Sequence, residues 1–181
     1  MSEAATANQS AQDSIAAIDR AGLDNLIAKN KENLDEQKTL RVKTVCDRKF
    51  RSINYARDLE PFVIDEPPGL LGDNTAHNPS EIVLGALGSC LVVGIQANAA
   101  AQGITLSKLE ISLEADINIT STWGTGALAK PQVGFSDVRI NVDIDGDADR
   151  ETLNKIVEHA NTWSPVSNTL SRPMPISINM A

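Results

Sequence analysis

Aromatic side chains are nearly missing from this chain: three Phe, two Trp and one Tyr make up 3% of its 181 residues. A core must therefore be assembled from Ile, Val, Leu and Ala. Clustered positive charge is missing too. Sixteen Lys and Arg stand against 24 Asp and Glu, a formal charge of −8. Phosphate binding needs a local excess of Lys and Arg, and a lipid surface needs a basic amphipathic helix. Neither is present, so nucleic acid and membrane are excluded from the expected partners.

Other signals are lacking as well. The start "MSEAATANQSAQDSIAAIDR" has no basic region followed by an apolar one, so it does not read as a secretory signal. The apolar run from Ile82 to Ile95 is shorter than the roughly 20 residues that span a bilayer, and it reads as a buried helix. Cysteine is limited to Cys46 and Cys90. Two thiols in a chain without a signal fit a reducing compartment, and the cytoplasm is the expected location. His77 and His159 stand without ligand spacing. In "DIDGDADRE", counted from Asp143, Gly146 falls at the fourth position, where a calcium loop needs glycine at the sixth. "GLLGDN" lacks the glycine spacing of a phosphate loop. No metal and no cofactor are expected.

What is present is a clear succession of periodic segments. Residues 1–12 have no period and are expected to be mobile. Ile15, Ile18, Leu23, Leu26 and Ile27 then suggest a short amphipathic helix or two, so 1–37 reads as an N-terminal extension and 38–181 as one domain. "TLRVKTV" and "KFRSINYA" read as strands, with a brief third at Phe62–Ile64 and a long Pro/Gly/Asn loop behind it. A helix starts at Pro79 and stops at Gly103. Leu109, Ile111, Leu113, Ala115, Ile117 and Ile119 alternate with polar residues, and Val138, Ile140, Val142 and Ile144 repeat the pattern. A second helix from about Asp149 places Leu153, Ile156, Val157, Ala160 and Trp163 on one face. "PMPISINM" reads as a closing strand through Ile176, Ile178 and Met180. The order β-β-β-α-β-β-α-β is an α+β layer architecture. Its first helix is apolar nearly all round, and one sheet covers only one side of it. A homodimer is the expected source of the other cover.

That helix carries Cys90 at the centre of "EIVLGALGSCLVVGIQANAA". A reactive cysteine needs a positive charge, a hydrogen-bond donor or a helix N-terminus close to its sulfur. Cys90 lies too deep in its own helix for the last of these, so Arg48, Arg51, Arg57 and His77 are the candidates for help. Glu81, nine residues upstream and about two and a half turns away, is placed to orient an arginine rather than to touch the sulfur. The alternative is that Cys90 packs as an inert small apolar group.

"DEPPGLLGDNTAHNPSEIVLGALGSC", followed by "HANTWSPVSNTL", resembles the OsmC/Ohr family of thiol-dependent organic hydroperoxide reductases. The similarity covers about residues 38–181. The resemblance implies an intertwined homodimer with two central helices wrapped by antiparallel sheets. It also implies that Cys90 attacks the peroxide, with Arg51 and Glu81 in the activating roles. A second cysteine resolves the reaction in peroxidase members, and that position falls on Ser164, so the resolving thiol is lost. The family's glutamate stands ten residues before the cysteine, where this chain has Ser80, with Glu81 one residue later. Nothing in the sequence brings Cys46 within disulfide range of Cys90. Two readings follow. One is a one-cysteine reductase of organic hydroperoxides that depends on an external thiol. The other is a non-catalytic dimer that binds a small apolar ligand or senses redox state.

Overall fold

The computed structural model describes residues 15–120, 122–124 and 133–180; the expectation for residues 1–12 lies outside them. In chain order the elements are α1 (Arg20–Lys31), β1 (Val42–Arg48), β2 (Arg51–Ala56), β3 (Phe62–Ile64), α2 (Pro79–Gln102), β4 (Leu106–Asn118), β5 (Gly134–Gly146), α3 (Arg150–Trp163) and α4 (Pro165–Ser171). They fall into two compact units. One is Ala28–Ala86, and the other is Leu87–Ala181 together with Met1–Ile27.

The unit Ala28–Ala86 is built on an antiparallel sheet in the order β1-β2-β3. The β1–β2 turn uses Lys49 at φ 45°. β1 is exposed along its whole length. The Pro/Gly/Asn loop after β3 is tightly organised around Asp65. Its carboxylate accepts from the Thr75 N–H at 3.0 Å, the Thr75 hydroxyl at 2.8 Å and the Glu66 N–H at 2.9 Å. Gly72 is required there, because a Cβ would fall 1.8 Å from the Glu66 carbonyl oxygen.

In the other unit β4 and β5 form a long antiparallel pair. Leu109 faces Ile144, Ile111 faces Val142, Leu113 faces Ile140 and Ala115 faces Val138, the alternation read from the sequence. Ile95 and Ala99 of α2, Leu106, Ile144, and Leu153, Ile156 and Ala160 of α3 make one aliphatic core. α2 crosses α3 where Gly94 meets Ala160, and a Cβ on Gly94 would sit 3.0 Å from the Ala160 Cβ. The N-terminal segment is tied to this unit. The Ile15 N–H bonds the Leu106 carbonyl at 2.9 Å, and Arg20 Nη1 donates to the Ala100 carbonyl at 2.9 Å. A cation is favourable at that C-terminal end of α2, and Gly103, at φ 71°, ends the helix.

The observed helix ends follow local chemistry. α2 opens with Pro79 behind a reciprocal cap, in which the Asn78 N–H donates to Glu81 Oε2 at 2.9 Å and the Glu81 N–H to Asn78 Oδ1 at 2.8 Å. Asp149 caps α3 by accepting from the Thr152 N–H at 2.7 Å.

Several sequence expectations are corrected. Trp163 is 72% exposed and does not join the inner face of α3; its ring lies beside that of His159, one turn earlier. Residues 173–180 pair with no strand among the described residues. Ile176, Ile178 and Met180 are exposed, since alternation gives a strand its faces but a neighbouring strand gives it a ladder. α4 was not anticipated. α2 spans 24 residues with a mean hydropathy of 1.8 along its apolar stretch, and by length and composition it is long enough to cross a membrane. The run from Ile82 to Ile95 understates it. One face of the helix nevertheless forms part of the aliphatic core.

Candidate functional site

The Ser-Pro pair after α3 sets the geometry of the site. Serine is a favoured N-cap, and proline is preorganised for the first helical position. Ser164 therefore ends α3 and starts α4. Its Oγ accepts from the Ser167 N–H at 3.1 Å, its N–H bonds the Asn161 carbonyl at 3.3 Å, and its carbonyl accepts from the Asn168 N–H at 3.0 Å. Ser167 Oγ in turn donates to Asn161 Oδ1 at 2.8 Å. Ser164 is 3% exposed. Held this way, its hydroxyl donates to Cys90 Sγ across 3.2 Å. Cys90 is a free, half-buried thiol on α2. The two residues are 74 positions apart and belong to the same unit.

An apolar cavity of about 210 Å³ lies in the same unit. Leu91 and Ile95 of α2, Ile140 and Val142 of β5, and Val157 of α3 line it, with Glu158 and Asn161 as its polar wall. Cys90 is not among the lining residues. Its neighbour Leu91 is, and so is Asn161, whose carbonyl receives the Ser164 N–H.

The other expected site residues belong to Ala28–Ala86. Arg51 pairs with Asp47 through Nη1. Its Nε is buried without a hydrogen-bond partner among the described residues, as is Oε2 of Glu66. Glu81 caps α2 as described, and its Oε2 lies 3.9 Å from His77 Nδ1. Arg48 faces Asp73 at 3.7 Å, and Arg57 is exposed in a turn at φ 55°. Cys46 is an exposed free thiol on β1 whose sulfur lies 3.8 Å from the Lys49 carbonyl.

Two carboxylates that sequence reasoning did not single out have shifted acidities. The hydrogen bonds from Thr75 hold Asp65 down at about 2. Burial pushes Glu66 up, and the nearby charges of Asp65 and Glu81 add to the effect. No local motif announces either one. The Asp65–Thr75 contact closes a ten-residue loop, whereas the Ser-Pro pair, a favoured N-cap followed by a favoured first helical residue, was a local signal for α4 that the sequence reading did not use. The acids of "DIDGDADRE" have structural uses: Asp147 accepts from the Thr105 N–H at 2.7 Å, and Asp149 is the α3 cap.

The fold is thus an α+β arrangement in which a helical thiol is held against the residue that opens the last helix. A family model described as OsmC-like protein matches residues 72–179, and the chain belongs to that family. Among solved structures, an OsmC-like protein of Mycoplasma pneumoniae aligns over 75% of this chain and 89% of its own, with 17% identity and a TM-score of 0.62. An organic hydroperoxide resistance protein OsmC of Legionella pneumophila aligns over 75% and 91%, with 20% identity and a TM-score of 0.55. An OsmC-like protein of unknown function from Vibrio cholerae aligns over 74% and 94%, with 14% identity and a TM-score of 0.57. At these identities the likeness is one of fold. Among curated proteins no sequence matches this one.

Proposed function

We propose that the protein reduces organic hydroperoxides with Cys90 as its single reacting thiol. The observation that carries this reading is the free, half-buried Cys90 lying 3.2 Å from Ser164 Oγ, at the position where the family resemblance places the second thiol. The Cys90 thiolate attacks the distal oxygen of the hydroperoxide, and the O–O bond breaks. The alkoxide leaves and takes up a proton as the alcohol, and the sulfur, oxidised by two electrons, is left as a sulfenic acid. An external thiol then attacks that sulfur and water departs. A second external thiol reduces the mixed disulfide and restores Cys90. The apolar cavity beside Leu91 supports an alkyl hydroperoxide over hydrogen peroxide, because an apolar lining favours an apolar body.

The same reading includes a homodimer in the cytoplasm. Ser89, Val92 and Val93 lie exposed on α2, and a second copy would cover them. The experiment that tests the reaction follows Cys90 oxidation by intact mass, using cumene hydroperoxide against hydrogen peroxide. Oxidation by the organic peroxide is expected to be the faster, and Cys90→Ser is expected to abolish it. Oxidation no faster than that of a free thiol, for both oxidants, overturns the reductase reading.

One observation favours the alternative, a dimer that binds a small apolar ligand without turnover. Glu81 is committed to the α2 cap and Arg51 to Asp47. The absence of selective oxidation in the same experiment would leave that reading standing.

A further inference from the structure

We infer that Ser164 is a positioning residue for the Cys90 sulfur, acting on it as a fixed hydroxyl donor. The inference takes its purpose from the proposed reaction, but its test needs no peroxide.

The argument is one of hydrogen-bond supply. A serine hydroxyl has one proton to give and two lone pairs to receive. Ser164 Oγ already receives the Ser167 N–H at 3.1 Å as the cap of α4. The capping bond fixes the oxygen and leaves its proton free to point elsewhere. The acceptor that the structure places before it is Cys90 Sγ, at 3.2 Å. The serine is 3% exposed, so water competes little for that proton. The backbone that carries it is fixed as well, because its N–H and carbonyl are both bonded, to Asn161 and Asn168. A donor aimed at an atom that ionises to an anion stabilises the charged form more than the neutral one. The thiolate, rather than the thiol, is the nucleophile. The residue that replaces a resolving thiol is thus placed to raise the reactivity of the thiol that remains.

The experiment is the rate of Cys90 alkylation by iodoacetamide across pH, with the full chain and with peptide mapping to separate Cys90 from Cys46. In Ser164→Ala the profile is expected to move to higher pH, with alkylation at neutral pH slower by about tenfold, the size of one charge-assisted hydrogen bond. Ser164→Thr keeps a hydroxyl and a cap, and it is expected to restore the parent profile. A serine that only caps α4 would lower the melting temperature in Ser164→Ala and leave the profile in place. That result, or a threonine variant that behaves like alanine, overturns the inference.

Ser164→Cys supplies a second test should the alanine variant fail to fold. Treated with diamide, the introduced thiol and that of Cys90 are expected to lose two electrons and two protons to the oxidant and join as a disulfide. Failure of that disulfide to form means that the two side chains do not meet, which also overturns the inference. If the alanine profile moves while the parent protein shows no preference for cumene hydroperoxide, the donor role stands and the reductase reading falls. The opposite pair of results keeps the reductase and removes the donor.

Discussion

At the scale of the residue, Asp65 shows how a buried carboxylate is held ionised. It is 1% exposed, yet it receives three hydrogen bonds and sits at about 2 instead of the ordinary 3.8. Because the folded value is the lower one, Asp65 contributes stability that is fully present above pH 4 and is lost as pH falls through 2. Asp65→Ala is therefore expected to melt earlier at neutral pH and to lose less stability than the parent between pH 4 and pH 2. Thermal melts across that range measure it, and parallel curves for the two proteins would remove Asp65 from the acid response. Neither this contact nor the Ser164–Cys90 contact follows from spacing. Each joins residues that tertiary folding brings together, ten and 74 positions apart. The family resemblance, and not periodicity, directed attention to Ser164.

At the scale of the element, the α2–α3 crossing rests on two small residues. Gly94 has no room for a side chain against Ala160, so Gly94→Val overpacks the contact and is expected to cost about 1–3 kcal/mol in urea unfolding. Ala160→Gly in the same chain is expected to return part of that loss. Purely additive costs in the double variant would mean that the two helices do not meet there. The main elements were legible because local chemistry and pattern agreed. Pro79 and Gly103 bound α2, Asp149 caps α3, and the alternation in β4 and β5 gave the faces that the register now pairs. Agreement failed where pattern had to stand in for a neighbour. Trp163 continues the apolar spacing of α3 but falls at the helix end, where it is exposed. The tail carries the alternation of a strand but has no ladder among the described residues.

At the scale of the whole molecule, much apolar surface remains uncovered. Val93 is 68% exposed on α2, and Ile176 and Ile178 of the tail are 78% and 87% exposed. The proposed dimer puts α2 surface against a second copy. Light scattering is expected to give twice the chain mass for the parent protein and a single chain mass for Val93→Glu, with far-UV circular dichroism retained. A parent protein of single chain mass would overturn the dimer. The fold class was legible at this scale because the order of strands and helices limits the layers they can form. The division into Ala28–Ala86 and the rest was not, since it cuts through the continuous pattern of α2. Ser164 also matters to the molecule as a heat-sensitive body. A helix of seven residues such as α4 is marginal without its cap. An oxygen added to Cys90 Sγ on that side enters a gap of 3.2 Å whose far wall is the capping hydroxyl. Oxidation of the parent protein at Cys90 is therefore expected to lower its melting temperature in calorimetry, and an unchanged melt would mean that the added oxygen does not reach the cap.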